Sequence, residues 1–413
     1  MKPKQKIKVF LDSGAYSAWT SKKTINLKDY ISFIKDCEPF LDTYVNLDVI
    51  PGTIDRMRTM EDVKASAAAS YRNLQIMKDA GLRPLPVFHQ QEHYSWLEKM
   101  LKDGEKYIGI SSAKNQTNLV QERWLDEFFT IVCNKEGWPL VKVHGFGSAH
   151  VDMLKRHPYY SVDSAGWRIA AAYGKMYVPQ YINNKPDYLR PPVLVTISGN
   201  FQTSKHSQSR QLSNPAFFGP STQEVVRRFL EEEVGVNIGL ARYSNQIRYR
   251  ALAVYYQRVS EALTSVRHTH PRGSFGSGES SVRSALARRG PINMDHVQFI
   301  FSTGYDHDNC QALLEADAYH HLLSFWEFRT RPAKADKRSR VPRRELMRAY
   351  VFEGKVAQRP SRPMEADWTN QRYVMYRGRS LAQRILKAKK ETTDVVTRRP
   401  HIKPRDGKAG SRG

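Results

Sequence analysis

Cysteine is scarce in this chain of 413 residues: there are three, Cys37, Cys133 and Cys310, far apart. No CxxC pair and no Cys/His cluster at zinc spacing exists, so neither a disulfide framework nor a structural zinc is supported. Each cysteine reads as a small buried apolar residue. No apolar run approaches the ~18 residues that cross a membrane, so no membrane partner is expected. The opening MKPKQKIKVF has the charges of a secretory signal but no adequate apolar segment behind them, which points to the cytoplasm. No GxGxxG follows the first apolar run, which weakens a dinucleotide-binding reading.

Acidic residues are also in short supply. The chain carries 65 Lys and Arg against 41 Asp and Glu, a net charge of +24. Residues 329–413 hold 25 of the basic and 8 of the acidic groups, a net of +17, which leaves +7 for residues 1–328. A polyanion is the natural partner of such a tail, nucleic acid first, and Arg343, Arg344, Arg377, Arg379, Lys389 and Lys390 are its candidate contacts. The plainer alternative is a solubilising disordered tail. A compact piece is expected around Trp368 to Leu386, where aromatic residues alternate with arginine, and disorder beyond it.

What the chain has is a recurring pattern. Ile7 to Leu11 is an apolar run that ends abruptly in Asp12-Ser13-Gly14. An acid, a hydroxyl and a glycine are the commonest turn residues, but they also fit a buried strand emerging at a site. Similar short runs end at Asp48 (TYVNLDVIPG), at His89-Gln90-Gln91-Glu92 (RPLPVFHQQE), at Gly109, Ile110 and Ser111 (KYIGISS), at His144-Gly145-Phe146-Gly147 (PLVKVHGFGS) and at Asp163 (PYYSVDSAGW). Helical patterns separate them, from Asn26, over Glu61 to Ala80, through HYSWLEKMLKDG, over Glu122 to Cys133, and over Val151 to Arg156. Strand and helix alternating through short connections means βα units and a parallel sheet. Six or more units favour an α/β fold of the (β/α)8 TIM-barrel type, whose active site lies at the C-terminal ends of the strands. KMYVP, from Lys175, is a plausible seventh strand. HVQFIFSTG as a strand and ADAYHHLLSFWEF as a helix form the candidate eighth unit. Between them, residues about 200–290 read as an insertion, with helices at roughly Thr222–Val234 and Asn245–Val266 and a flexible Gly/Ser/Arg stretch. The expected division is a barrel over 1–328 and a basic, partly disordered nucleic-acid-binding extension over 329–413.

Two carboxylates at one barrel mouth, Asp12 and Asp163, suit displacement at a glycosidic carbon: one attacks and forms a covalent sugar intermediate, the other handles protons. Asp48 could accept hydrogen bonds from a ring N–H and an exocyclic amine, or simply organise the turn before Pro51-Gly52. Gln90 offers both donor and acceptor to a ring carbonyl. Gly109, Gly145 and Gly147 would let a flat ring or phosphate approach backbone. Tyr16 could stack on a base. His144 reads more readily as a locally hydrogen-bonded or partly buried group than as a catalyst, and His89 as a packed supporting residue. Asp163 could instead cap the segment opening at Ser164, but VDSAGW repeats the Asp-Ser-small signature of LDSGAYS. Asp12, Asp48 and Asp163 could together hold Mg²⁺, the premise of a weaker nuclease reading.

The order DSGAYS, NLDVIP, VFHQQE, YIGISS, VHGFGS, SVDSAGW resembles the guanine transglycosylases, (β/α)8 barrels that exchange guanine for a 7-deazaguanine. The resemblance covers roughly residues 7–180. It implies Asp12 as general acid/base, Asp163 as nucleophile, and Asp48, Gln90, Ser13 and the Gly109 backbone as contacts to the base; Tyr16, Ser111, His144 and Gly145 complete the candidate base-binding residues. Gln90 is preferred to Gln91 by its match to the family's VQG-like strand end. The zinc site of the tRNA-modifying members has no counterpart here, and no long segment precedes the first motif. In both respects the chain is more similar to the DNA-modifying branch (DpdA-like proteins of bacteria and phages), and a phage-encoded member would work in the host cytoplasm. The resemblance thus implies base exchange in DNA, with tRNA as the alternative polymer, a free 7-deazaguanine as co-substrate and no cofactor or metal. A non-catalytic nucleic-acid-binding barrel is the third reading, and a partner protein is left open. On DNA the target guanine must leave the stack, with Tyr16 or Trp167 holding it or filling its gap.

Overall fold

The computed structural model describes residues 6–56, 58–113, 116–197, 220–264, 277–292, 297–304, 307–330 and 342–354. The strands are β1 (Lys8–Asp12), β2 (Leu41–Tyr44), β3 (Val87–His89), β4 (Tyr107–Ser111), β5 (Lys142–Phe146), β6 (Ser161–Ser164), β7 (Lys175–Val178), β8 (Gln180–Ile182), β9 (Lys185–Asp187), β10 (Val193–Thr196), β11 (Gln298–Ser302) and β12 (His320–Ser324). Eight of them form one parallel sheet in the order β2-β1-β12-β11-β6-β5-β4-β3.

β1 shows why its sequence is an almost unbroken apolar run. Val9 and Leu11 face outward into the helices, where they pack with Tyr30, Phe33 and Ile34. Phe10 faces inward and meets Val45, Leu85, Val87, Ile300 and Leu322 from other strands and their flanks. A parallel strand covered on both faces has no polar side to show until it ends. The covering helix Leu27–Cys37 is capped by Asn26, whose side chain accepts from the Lys28 and Asp29 amides. It buries Tyr30, Phe33, Ile34 and Cys37, one stripe at helical spacing. The helix Met60–Asp79 starts at a reciprocal capping box between Thr59 and Asp62.

The sheet curls until its edges meet, but only through one parallel bridge, Val45 with Leu85. Two backbone bonds make it: Asn46 N–H to Leu85 O and Leu85 N–H to Tyr44 O, both 2.8 Å. β2 and β3 share no ladder, so the strand order and direction expected of a (β/α)8 barrel are present while a continuously bonded ring is not.

Three expectations are corrected. KMYVP is indeed a strand, but it lies outside the large sheet and pairs antiparallel with β10. The seventh place belongs to β11, beside β6. ADAYHHLLSFWEF is not one helix, because His320–Ser324 is β12, followed directly by the helix Phe325–Thr330. A short apolar run bounded by neither Gly nor Pro reads equally well as strand or helix, and here pairing with β1 and β11 selects the strand.

The long excursion before β11 is woven into the outer layer. Its helix Asn245–Leu263 packs on the helices Gly166–Ala172 and His307–Glu315 and on β11. The helix Ser277–Leu286 lies against the helices Tyr94–Lys102 and Asn118–Val132. The β8–β9 hairpin turns at Asn183-Asn184, both at positive φ, as the twist of a two-residue turn requires.

The chain past residue 328 also contributes to the core. The helix Arg343–Arg348 and the turn Ala349–Glu353 bury Met347, Tyr350 and Val351 against Ile7, Tyr30 and Phe328. The Tyr350 hydroxyl lies 3.2 Å from Thr303 Oγ1 and 2.5 Å from His321 Nδ1. The first compact unit accordingly runs from Met1 to Arg359, beyond the composition shift at Arg329, and residues 360–413 form a second unit outside the described residues. Tyr350→Ala should therefore cost about 3–5 kcal/mol in a denaturant titration, as other buried aromatic truncations do. A cost below about 0.5 kcal/mol, typical of surface positions, would detach this segment from the core.

Candidate functional site

Five of the six nominated segments end strands of the large sheet at its C-terminal edge, and the sixth, bearing Asp48, follows β2 as a loop. Asp12 ends β1 opposite Ser324 of β12. Asp163 lies on β6 opposite Ile300 of β11. Ser111 ends β4 opposite Phe146 of β5. Three of the turns into the next helix share a device: a serine hydroxyl accepts the amide two residues on. Ser13 takes Ala15 at 3.2 Å, Ser164 takes Gly166 at 2.9 Å and Ser324 takes Trp326 at 3.1 Å. The Asp-Ser-small signature seen twice in the sequence is this turn.

Asp48 is placed by the loop after β2 rather than by a strand. The helix Met60–Asp79 holds that loop from beneath: Asn46 Nδ2 donates to Ser70 O, Ser70 Oγ accepts from Val49 N, and Asn73 Nδ2 donates to Leu47 O, at 2.8–2.9 Å. Asp48 then accepts from Ser13 Oγ on Oδ1 at 3.2 Å and meets His89 Nε2 with Oδ2 at 3.0 Å. On its other side His89 Nδ1 lies 3.0 Å from Glu92 Oε1. The result is a buried carboxylate–imidazole–carboxylate array. Burial, the largest single influence, disfavours a charged His89, but the hydrogen bonds to Asp48 and Glu92 together outweigh it and raise its pKa to about 10. His89 is thus an imidazolium at neutral pH. Its weight in the site was not legible, because Asp48 lies 41 residues away; only the His-x-x-Glu spacing hinted at Glu92.

The two central aspartates have different surroundings. Burial, then the nearby charges of Asp48 and Asp163, push Asp12 up to about 8; the Gly14 amide opposes this and Glu327 adds to it. Asp12 therefore holds a proton at neutral pH. Asp163 accepts the Gly147 amide on Oδ1 at 2.9 Å. His144 Nε2 lies 3.4 Å from the same oxygen, within ion-pair reach but without hydrogen-bond geometry. Arg168 and Glu327, 3.7 Å apart, stand at the same mouth beside Gly304, and neither was nominated by the sequence.

Several nominated residues have other work. Ser13 is fully buried and occupied by its turn and by Asp48, so it supports the site from behind. Gln90 uses its side-chain carbonyl to accept the Ala113 amide at 2.8 Å, which ties β3 to β4 and leaves its NH₂ as the group to offer a ring carbonyl. Gln91 is exposed at positive φ, which separates it from its neighbour. Gly109 and Gly145 do not make room for a ligand: a Cβ would lie 2.5 Å from Phe146 Cε2 at the first and 2.6 Å from Tyr159 Cε1 at the second. His144 is fully buried, with Phe10 stacked on it and Phe146 edge-on, so its ring is closed to a base. Trp167 is likewise fully buried, against Tyr249 and Phe301, which removes it as a stacking platform. Tyr16, 42 % exposed on the helix that follows β1, can stack.

Arg343 and Arg344 lie near Cys37, at the end of its helix remote from the mouth. Arg377, Arg379, Lys389, Lys390 and the expected compact piece around 368–386 lie outside the described residues. Among the described residues no group of three or more His, Cys, Asp or Glu is arranged to hold a metal ion, and no helix is long and apolar enough to cross a membrane. No protein-family model, no curated protein and no solved structure matches the chain.

Two outcomes follow. His89 binds its proton more tightly folded than unfolded, so its stabilisation is complete below pH 6.5 and is lost as pH rises towards about 10. His89→Gln should cost roughly 3–5 kcal/mol at pH 6, since two buried carboxylates lose their cation. Denaturant titrations should also show a flatter pH dependence for the variant between 6.5 and 10; an unchanged slope would refute the charged array. Gly109→Ala should cost about 1–3 kcal/mol through its clash with Phe146. Gly290→Ala, whose Cβ meets nothing within 4 Å, is the control and should stay within about 0.5 kcal/mol of wild type.

Proposed function

We propose that the chain is a transglycosylase barrel that exchanges guanine in DNA for a 7-deazaguanine base. The observation that carries this reading is the pair of unlike aspartates in one mouth: Asp12, holding a proton at neutral pH, and Asp163, held by a backbone amide. A carboxyl that keeps its proton beside one oriented by a backbone amide suits acid/base and nucleophilic roles at one sugar carbon. Asp163 attacks the anomeric carbon, the bond to guanine breaks, and Asp12 gives its proton to the departing base. The incoming 7-deazaguanine returns a ring N–H proton to Asp12 as its nitrogen displaces Asp163 from the sugar. Atoms and protons balance over the cycle, and no net hydrolysis occurs.

The base would lie between Asp48, fixed by Ser13 and His89 with lone pairs to spare for N–H donors, and the Gln90 amide group. Tyr16 would stack on the extruded ring. The basic excess of residues 329–413 would hold the polymer by its phosphates, which favours neither DNA nor tRNA by itself. DNA is preferred on the resemblance to the zinc-free branch.

Duplex DNA incubated with labelled guanine should take up label. Asp163→Ala should abolish uptake, and Asp12→Asn should lower it by at least about 10²-fold, the scale of a lost general acid. Exchange that persists in Asp163→Ala would refute the mechanism, and uptake into tRNA alone would move the activity to that polymer.

A further inference from the structure

A line of buried polar groups crosses the interior of the sheet, from Asp163 towards the opposite end. His144 Nε2 faces Asp163 Oδ1 at 3.4 Å. His144 Nδ1 lies 2.7 Å from Ser161 Oγ, and Ser161 Oγ lies 2.5 Å from the Tyr107 hydroxyl. Tyr107 lines a cavity of about 260 Å³ at the N-terminal end of the strands, together with Lys8 and Lys142. Ser161 and His144 are fully buried. Apolar side chains fill most of the same interior, so these polar groups are retained at a desolvation cost.

For a neutral His144 ring, the hydrogens in this line run in one of two directions. In one, Tyr107 donates to Ser161, Ser161 donates to His144 Nδ1, and His144 Nε2–H points at Asp163. In the other, His144 Nδ1–H donates to Ser161, Ser161 donates to Tyr107, and the bare Nε2 lone pair faces a carboxylate. The second sets two acceptors against each other in a buried site. Burial also pushes the Tyr107 phenol well above its ordinary range, so it remains a donor.

We propose that Tyr107 and Ser161 are positioning residues that fix His144 as its Nε2–H tautomer, so that it steers the Asp163 carboxylate for attack. The Gly147 amide and His144 then converge on Oδ1 and hold that oxygen, leaving Oδ2 as the attacking atom. Nε2 is the one nitrogen of this ring without a hydrogen bond. An N–H aimed at a carboxylate that it does not yet bond tightens when the carboxylate turns towards the sugar. The role rests on the transglycosylase reading; the tautomer does not.

The test is nitrogen-15 NMR of the histidine rings in the full chain without substrate, with His144 assigned by its loss in His144→Gln. Wild type should show His144 protonated on Nε2. Ser161→Ala and Tyr107→Phe should shift it towards the Nδ1–H form, and Ser161→Thr, which keeps the hydroxyl, should restore it. In base exchange, Tyr107→Phe should lower kcat by about tenfold or more and leave KM within about twofold, as for partners that orient a reactive group. An Nδ1–H ring in wild type, a tautomer indifferent to Ser161→Ala, or an unchanged kcat in Tyr107→Phe would each overturn the proposal. If wild type exchanges no base, the transglycosylase reading falls while the tautomer result still stands on its own.

Discussion

The pairing of β1 with β12 is the constraint on which the rest of the molecule depends. It runs in register from Lys8 opposite His320 to Asp12 opposite Ser324. It turns a row of βα units into a curled sheet with one mouth, and it leaves two strands, β12 and β11, between those of Asp12 and Asp163. Without it Asp12 would end an edge strand, open to water on one side, and would lose burial, the largest cause of its raised pKa. The pairing also explains the burial of Met347, Tyr350 and Val351, which pack with Val9, Leu11 and Leu323 of the strands it joins.

The electrostatics of the mouth follow from the enclosure. Four carboxyl groups, Asp12, Asp48, Asp163 and Glu327, act on one another within it. Two cations answer them: His89, clamped between Asp48 and Glu92, and Arg168, beside Glu327. Asp12 and Asp163 are both left without such a cation, and Asp12 keeps its proton because burial adds to the charges of Asp48 and Asp163. A protonated carboxyl in this mouth therefore arises from burial and the neighbouring carboxylates, with no unusual residue required.

Much of this was legible in the sequence, for a definite reason. A parallel strand covered on both faces shows polar groups mainly where it ends, so Asp12, Ser111 and Asp163 announced themselves by interrupting apolar runs, whereas His144 interrupts β5 from its buried middle. What could not be read depends on pairings distant in sequence. KMYVP looks the same whether it joins the large sheet or β10. His320–Ser324 merges into the helix behind it without a turn residue. A missing Cβ at Gly109 or Gly145 leaves space, and only the fold shows that Phe146 and Tyr159 fill it. His89 gained its charge from Asp48, a partner its own neighbourhood does not contain. The serines at the strand ends resembled ligand contacts because turn chemistry and binding chemistry use the same hydroxyl.

The pairing of first strand with last also bears on how the chain is made. β12 leaves the ribosome some 312 residues after β1. At roughly 5–20 residues per second, β1 waits about 15–60 s for the neighbour that completes its surroundings. During that interval its Val-Phe-Leu backbone is an unpaired edge, the kind of surface that joins other chains. β2, which arrives sooner, covers one side only. Lys6 and Lys8, at the start of this strand, are charges of the kind that discourage such edges from pairing with one another.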